Sequence, residues 1–263
     1  MEKIRIITIN TWKCDGNYSK RMELLAVQLK ELSPGIIACQ ECFKSEEARA
    51  DTLGFLAEQL DMQSSFLPGR FKKRVFRQQW VNSYSGLGIL SAYPLKTLEH
   101  YALPEAPGDE DRKLQIVEID IPGGDKLLLA NTHLTHLKNT TARTAQAGFV
   151  ADAVSAKDSY KYRMVCGDFN STQYSPEMQL LKLKAKAIDC YAAGGGIEPR
   201  CSLAEACEKN LMNCVDHQFA LPVRGPGLYP QFENSGIVLN VKDKENGIYP
   251  SDHFGISTTL VID

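Results

Sequence analysis

With 263 residues, 43% of them hydrophobic and 24% charged, the chain has material for a substantial core and reads as a soluble globular protein. Its net charge of −2, from 30 basic and 32 acidic side chains, excludes an overall positive field that would draw in nucleic acid or anionic membrane without specificity. No apolar run approaches the roughly 18 residues of a membrane span, and the stretch after Met1-Glu2-Lys3 is too short for an export signal, so a cytoplasmic protein without stable membrane insertion is expected.

In chain order, runs rich in β-branched residues predict buried strands at Ile4 to Ile9, Ile36 to Gln40, Leu87 to Ser91 and Leu114 to Ile121. Further strands follow at Lys126 to Thr132, Tyr162 to Cys166, Val215 to Ala220 and Gly255 to Ile262. Helical patterns lie between them: Ser19, as cap, to Leu32; Glu46 to Leu60; Thr141 to Ala156; and a helix opening on Pro176 and reaching Leu183. Gly194 to Cys207 and Pro222 to Ile248 are rich in turn residues and read as long loops near the functional site. Pro122-Gly123-Gly124 joins two adjacent strands as a hairpin, which a purely parallel sheet would not contain. Mixed sheets packed together with helices outside fit better, in a single domain spanning 1–263, since no repeat or linker interrupts the chain.

The eight cysteines are scattered, and several sit in apolar runs, so buried free thiols in a reducing compartment are expected. Cys39 and Cys42 form a lone Cys-x-x-Cys. With no second close pair, a zinc or redox role loses to simple burial.

Polar residues recur just where the strand patterns run out. Asn10 ends the first, Gln40-Glu41 the second, Asn131-Thr132-His133 the fifth and Gly167-Asp168-Phe169-Asn170 the sixth. Loops at strand ends carry active-site groups because the sheet fixes them while the loop exposes them. The residue types cohere. Magnesium takes oxygen ligands, few of them carboxylates, and Glu41 is the first choice. Asp168 and Asn170, two apart, would face the same way in extended backbone while Phe169 turns into the core. Asp252-His253 sets a carboxylate beside an imidazole before the last strand, and Asp216 is a candidate to pair with an imidazole and fix its tautomer.

The order of these stretches resembles the endonuclease/exonuclease/phosphatase superfamily. The matching pieces are Thr8-Ile9-Asn10, Gln40-Glu41, Ser85-Gly86-Leu87-Gly88-Ile89-Leu90-Ser91, Asn131-Thr132-His133-Leu134, Gly167-Asp168-Phe169-Asn170, Val215-Asp216 and Ser251-Asp252-His253. The resemblance implies an α/β, deoxyribonuclease I-like four-layer α/β/β/α sandwich of two packed mixed sheets with the site at one end. It implies a magnesium ion, manganese as substitute, held by Glu41 with Asn10 and Asp252 nearby. Asp168 would orient or deprotonate the attacking water, Asn170 contact the phosphate, and His133 and His253 meet charge on the phosphate, His253 paired with Asp216. Here the sequence departs from the family, which usually continues after Asp216 with an aromatic or basic residue and then aliphatics, whereas His217-Gln218-Phe219 puts a polar residue among them.

The substrate is less defined. Tyr84-Ser85-Gly86 resembles abasic-site endonucleases, where a tyrosine touches phosphate, whereas His133 is shared with pancreatic-type deoxyribonucleases, sphingomyelinases and several phosphatases. Tyr84 is read either as that contact or as packing beside a glycine turn. Arg70, Lys72, Lys73, Arg74 and Arg77, interleaved with Phe71, Phe76 and Trp80, either track a polyanion such as nucleic acid or form a solvated loop. No apolar wedge suited to a lipid substrate is visible. The leading expectation is a magnesium-dependent phosphodiesterase or nuclease. A phosphomonoesterase acting on a nucleotide or inositol phosphate, or a sphingomyelinase-like phospholipase on the same scaffold, comes next, and a non-catalytic binding module last.

Overall fold

The computed structural model describes residues 1–138, 140–223 and 228–262. One sheet contains β1 (Glu2–Asn10), β2 (Ile36–Ser45), β3 (Ala50–Asp51), β4 (Gln63–Phe76) and β5 (Gln79–Ser91) with β12 (Gln231–Val238) and β13 (Gly255–Ile262). Their order is β12-β13-β1-β2-β5-β4, with β3 on the side of β2. The other sheet runs β10-β11-β9-β8-β7-β6, from Ile188–Asp189, Asp216–Ala220, Tyr162–Asp168, Lys126–His133, Lys113–Asp120 and Leu95–Ala102 respectively.

The two-residue period of a strand sorts the apolar side chains into layers. Ile4, Ile6, Ile36 and Ala38 meet Val117, Leu129, Met164 and Cys166 between the sheets. Their neighbours Ile7, Ile9, Ile37 and Cys39 turn outward beneath α1 (Tyr18–Leu32) and α2 (Thr52–Leu60). On the far side, Ile116, Leu128, Ala130 and Val165 are covered by α3 (Thr140–Ser155) and α4 (Pro176–Ala185). The result is the expected four-layer sandwich of mixed sheets. Burial on both faces explains why the central strands read as continuous apolar runs.

Two parallel pairs position the site. β1 and β2 are joined by α1, and β8 and β9 by α3, each a strand-helix-strand unit. Asn10 pairs with Gln40 at the carboxyl end of one unit and His133 with Asp168 at that of the other. Carboxyl ends of parallel strands are where α/β proteins present ligand sites. Behind them the sheets are bolted together by amides: Gln40 Nε2 donates to Asn131 Oδ1 (2.8 Å), and Asn131 Nδ2 to the carbonyls of Cys39 (2.9 Å) and Gly88 (3.0 Å).

Several expectations are corrected. Asn17, not Ser19, caps α1, its side chain accepting from Lys20 N. The second helix starts at Thr52 instead of Glu46, because Ala50 and Asp51 pair with β2 and Asp51 Oδ1 caps Gly54 N (2.9 Å). The basic-aromatic stretch is no loop: it is the β4–β5 hairpin, turned by Arg77 and Gln78 at φ 47° and 65°. The segment 222–248 contains β12 together with loop, and its residues 224–227 lie outside the described residues. The segment Gly194 to Cys207 is not all loop: it follows the short helix α5 (Cys190–Ala193) and runs into α6 (Ala204–Glu208). Cys201, just before α6, and Cys207, within it, have Cα atoms 5.7 Å apart and their sulfurs are bonded, so the thiols are not all free; the six others are free and buried. No helix among the described residues is long and apolar enough to cross a membrane.

Candidate active site

An open cleft of about 330 Å³ lies at the carboxyl ends of the two parallel pairs, lined by Asn10, Glu41, His133, Asp168, Asn170, Asp252 and His253. Each is delivered by a local device. Between Cys39 and Cys42 the β2–β5 register slips, and Glu41 takes φ 55°; this bulge turns Glu41 to the cleft while both cysteines stay in the core under α1 and α2. That disposes of the Cys-x-x-Cys as a metal pair. Gly167 allows β9 to press against β8, where an added Cβ would run into the Thr132 carbonyl oxygen. The strand ends at Asp168, and Asn170 is left-handed (φ 50°) instead of extended. Both side chains reach the cleft nonetheless. Ser251 Oγ donates to the Asn10 carbonyl (2.6 Å), tying the Asp252-His253 loop to the end of β1.

Asp168 is the hub. Its Oδ2 accepts from Asn10 Nδ2 (2.9 Å) and lies 3.3 Å from His133 Nε2 and 3.9 Å from His253 Nε2, while Oδ1 accepts from Asn170 N (2.9 Å). Asp216, fully buried and opposite Asp168 in register, takes His253 Nδ1 at 2.8 Å and the Ser202 hydroxyl at 2.7 Å on Oδ2. Burial first, and then the Asp216 charge, raise the pKa of Asp168. His133 is pushed well below the usual imidazole value, by burial and then by the Arg112 charge. Burial also opposes a charge on His253, yet Asp216, Asp168 and Asp252 prevail and lift it to about 10. The site therefore holds one neutral and one cationic imidazole around a carboxylate of raised basicity.

Two groups of ligand atoms could take a cation. Asp168, Asp216 and His253 offer atoms within 4.8 Å of one another, with Asp216 Oδ2 already engaged by His253 Nδ1 and the Ser202 hydroxyl. Asn10, Glu41 and Asp252 are an all-oxygen set suited to magnesium. The Lys13 ammonium stands 2.9 Å from Glu41 Oε2, a cation where that set would hold one. The residues fit such an ion.

The basic run divides by strand parity. Lys72 and Arg74 line the cleft, as does Arg70, whereas Lys73 points to the other face. Tyr84 is also on that other face, its ring tilted at 52° against Phe71 (4.9 Å between ring centroids) in a groove with Lys44 and Phe66. Pairing of Phe71 with Tyr84 across the hairpin fixes this, so Tyr84 and Lys73 are corrected away from the cleft. Sequence reasoning missed Lys13, on a strained turn (φ 40°) after β1, and Arg21, whose buried guanidinium donates to the carbonyls of Thr11 (3.0 Å), Trp12 (3.0 Å) and Pro250 (3.0 Å) and so braces both loops. It also missed Ser202, which no motif marks and which reaches Asp216 only through the fold.

His217, which follows Asp216 on β11, does not line the cleft. Its Nε2 donates to the Ser171 carbonyl (2.7 Å) and Nδ1 accepts from Arg200 Nη2 (3.0 Å), which fixes the neutral tautomer. Burial, then the Arg200 charge, depress its pKa to about 3. Below the unfolded value of 6.5 the unfolded chain binds a proton that the native state refuses, so this residue lowers stability as pH falls from 6.5 toward 3. His217→Gln keeps one donor and one acceptor without titrating. Between pH 7.5 and 5.5 the wild type is expected to lose about 1.4 kcal/mol more than this variant in urea denaturation, and equal losses would contradict the assignment.

The two-sheet sandwich gathers carboxylates, amides and imidazoles at one end. A model described as "Endonuclease/Exonuclease/phosphatase family" matches residues 7–253, and the chain belongs to that family. No curated protein matches it in sequence. Among solved structures it is similar to a humanized D. rerio TDP2 (22% identity, 99% of each chain, TM-score 0.71). It is also similar to D. rerio TDP2 complexed with a single strand DNA product (22%, 100% of each chain, 0.70). A third is an endonuclease/exonuclease/phosphatase family protein from Leptotrichia buccalis (15%, 98% of this chain and 100% of that one, 0.77). At these identities the likeness is one of fold.

Proposed function

We propose that the chain is a magnesium-dependent phosphodiesterase, with manganese as a substitute ion and single-stranded nucleic acid as the leading substrate class. The observation that carries this is Asp168 Oδ2, approached together by Asn10, His133 and His253, with Asp216 behind His253. Glu41, Asp252 and Asn10 would hold the ion, which supplies Lewis-acid polarisation of the phosphate and a more acidic water.

The chain's own groups do the rest. Asp168, its pKa raised by burial and Asp216, orients the attacking water and takes its proton. His253, held cationic by Asp216, stabilises the charge that gathers on the phosphoryl oxygens, and neutral His133 donates on the other side of Asp168. Asn170, held by its side-chain bond to the Leu134 carbonyl (3.0 Å), faces the phosphate. Such positioning and charge stabilisation make up most of phosphoryl-transfer catalysis. The D. rerio TDP2 bound to single strand DNA product supports the diester reading over the monoester one.

Bis(p-nitrophenyl) phosphate, p-nitrophenyl phosphate and a short single-stranded DNA, each with magnesium, with manganese and with chelator, test it. Metal-dependent cleavage of the diesters is expected. Cleavage of the monoester alone would replace this reading with a phosphomonoesterase.

A further inference from the structure

Arg74 is only 7% exposed, lines the cleft, and carries more donors than the protein satisfies. Nη1 donates to the carbonyl (3.2 Å) and hydroxyl (2.9 Å) of Ser83. Nε has no acceptor, and among the described residues the guanidinium has no ion-pair partner. Burial works against its charge, with Cys14, Glu41 and Asp15 opposing through space alone. A buried cation without a counter-ion is expensive, and one that lines a cleft suits an anion brought by a ligand.

β4 sets two more cations in line with it. Past the bulge between Leu67 and Arg70, the side chains alternate, and Arg70, Lys72 and Arg74 reach the cleft while Phe71 and Lys73 do not. Same-face residues on a strand stand about 7 Å apart, comparable to neighbouring phosphates on an extended backbone. The Lys72 ammonium is exposed and in no ion pair among the described residues. Arg70 Nη1 is 3.8 Å from Asp109 Oδ1, a carboxylate that Arg112 already holds at 2.8 Å.

We propose that Arg74, Lys72 and Arg70 form a second phosphate subsite, which receives the phosphoryl group next to the scissile one. The inference rests on the phosphodiesterase reading of the cleft and narrows its substrates to those with at least two neighbouring phosphates. Two sources share that chemistry, the next nucleotide of an oligonucleotide and an adjacent phosphate on a small polyphosphorylated molecule.

The test is binding of fluorescein-labelled tetrathymidylate by anisotropy in chelator, across a salt series, for wild type, Lys72→Ala, Arg74→Gln and Lys73→Ala. Lys72→Ala and Arg74→Gln are expected to weaken binding about tenfold each and to flatten the log–log salt slope by about 0.7 each. Lys73→Ala, one residue away but on the other face, should stay within about twofold of wild type. Thymidine 5′-monophosphate should compete at least about tenfold less well than unlabelled tetrathymidylate, and inositol hexakisphosphate as a competitor separates the two sources. Equal losses in Lys73→Ala and Lys72→Ala, or no loss in Lys72→Ala, would overturn the subsite; should Arg74→Gln fail to fold, Lys72→Ala and Lys72→Glu decide. Hydrolysis of bis(p-nitrophenyl) phosphate by the same proteins keeps the two readings apart. Turnover with unaltered binding in Lys72→Ala removes the subsite alone, and binding loss without any turnover removes the phosphodiesterase alone.

Discussion

Asp168→Asn is expected to lower turnover by about 10²–10⁴-fold while leaving the fold intact and raising its melting temperature. The asparagine is isosteric and its one oxygen can accept from Asn10 Nδ2 or from Asn170 N, though not from both, and it cannot take a proton from water. Two carboxylates face each other in register at the ends of β9 and β11, and burial together with Asp216 already makes the Asp168 charge costly. Removing that charge relieves the native state, the exchange of stability for activity common at active sites. For a chain of this size each kcal/mol relieved corresponds to about 2–4 °C. Steady-state kinetics and a thermal melt on one preparation check both halves, and a variant that is slow because it is unfolded would count against the assigned role.

His253→Gln should cost about 10²–10³-fold in turnover, since a cationic donor to the phosphoryl oxygens is lost. Here the stability effect has the opposite sign. Asp216 is fully buried, its Oδ1 has no partner, and Oδ2 depends on His253 and Ser202. Breaking a buried pair of this kind costs about 3–5 kcal/mol when the partner is deleted, and less with glutamine, which keeps a donor. The folded pKa of His253 is raised, to about 10 from 6.5, so its contribution is complete below pH 6.5 and disappears as pH rises toward 10. Denaturation of metal-free wild type and variant should therefore show the widest stability gap near pH 6 and a closing gap toward pH 10. A gap that widens with pH would mean that His253 is neutral in the folded protein.

The central strands and the polar residues at their ends were readable because burial on both faces leaves unbroken apolar runs that stop where the chain turns to the cleft. β4 was not, since its residues alternate between a cleft wall and an exposed face, and Gln63 to Phe76 therefore show no apolar run. β6 is a half-exposed edge strand, and the register shift in β12 between Glu233 and Gly236 breaks its period. The same parity that hid β4 separated Lys72 and Arg74 from Lys73 and Tyr84, a division that a list of charges cannot express. Local spacing also suggested extended backbone through Asn170, where the hydrogen bond from its N–H to Asp168 holds a left-handed turn. Lys13, Arg21 and Ser202 act through contacts that only the tertiary structure creates.

Cleavage of a short single-stranded DNA by wild type and by Glu41→Gln, with magnesium and with chelator, tests the central claim most directly. The account predicts cleavage by wild type with magnesium only, and a loss of about a hundredfold or more in Glu41→Gln, partly recovered at higher magnesium because the carboxylate acts through the ion. Cleavage that survives chelator, or a Glu41→Gln protein as active as wild type at every magnesium concentration, would contradict it.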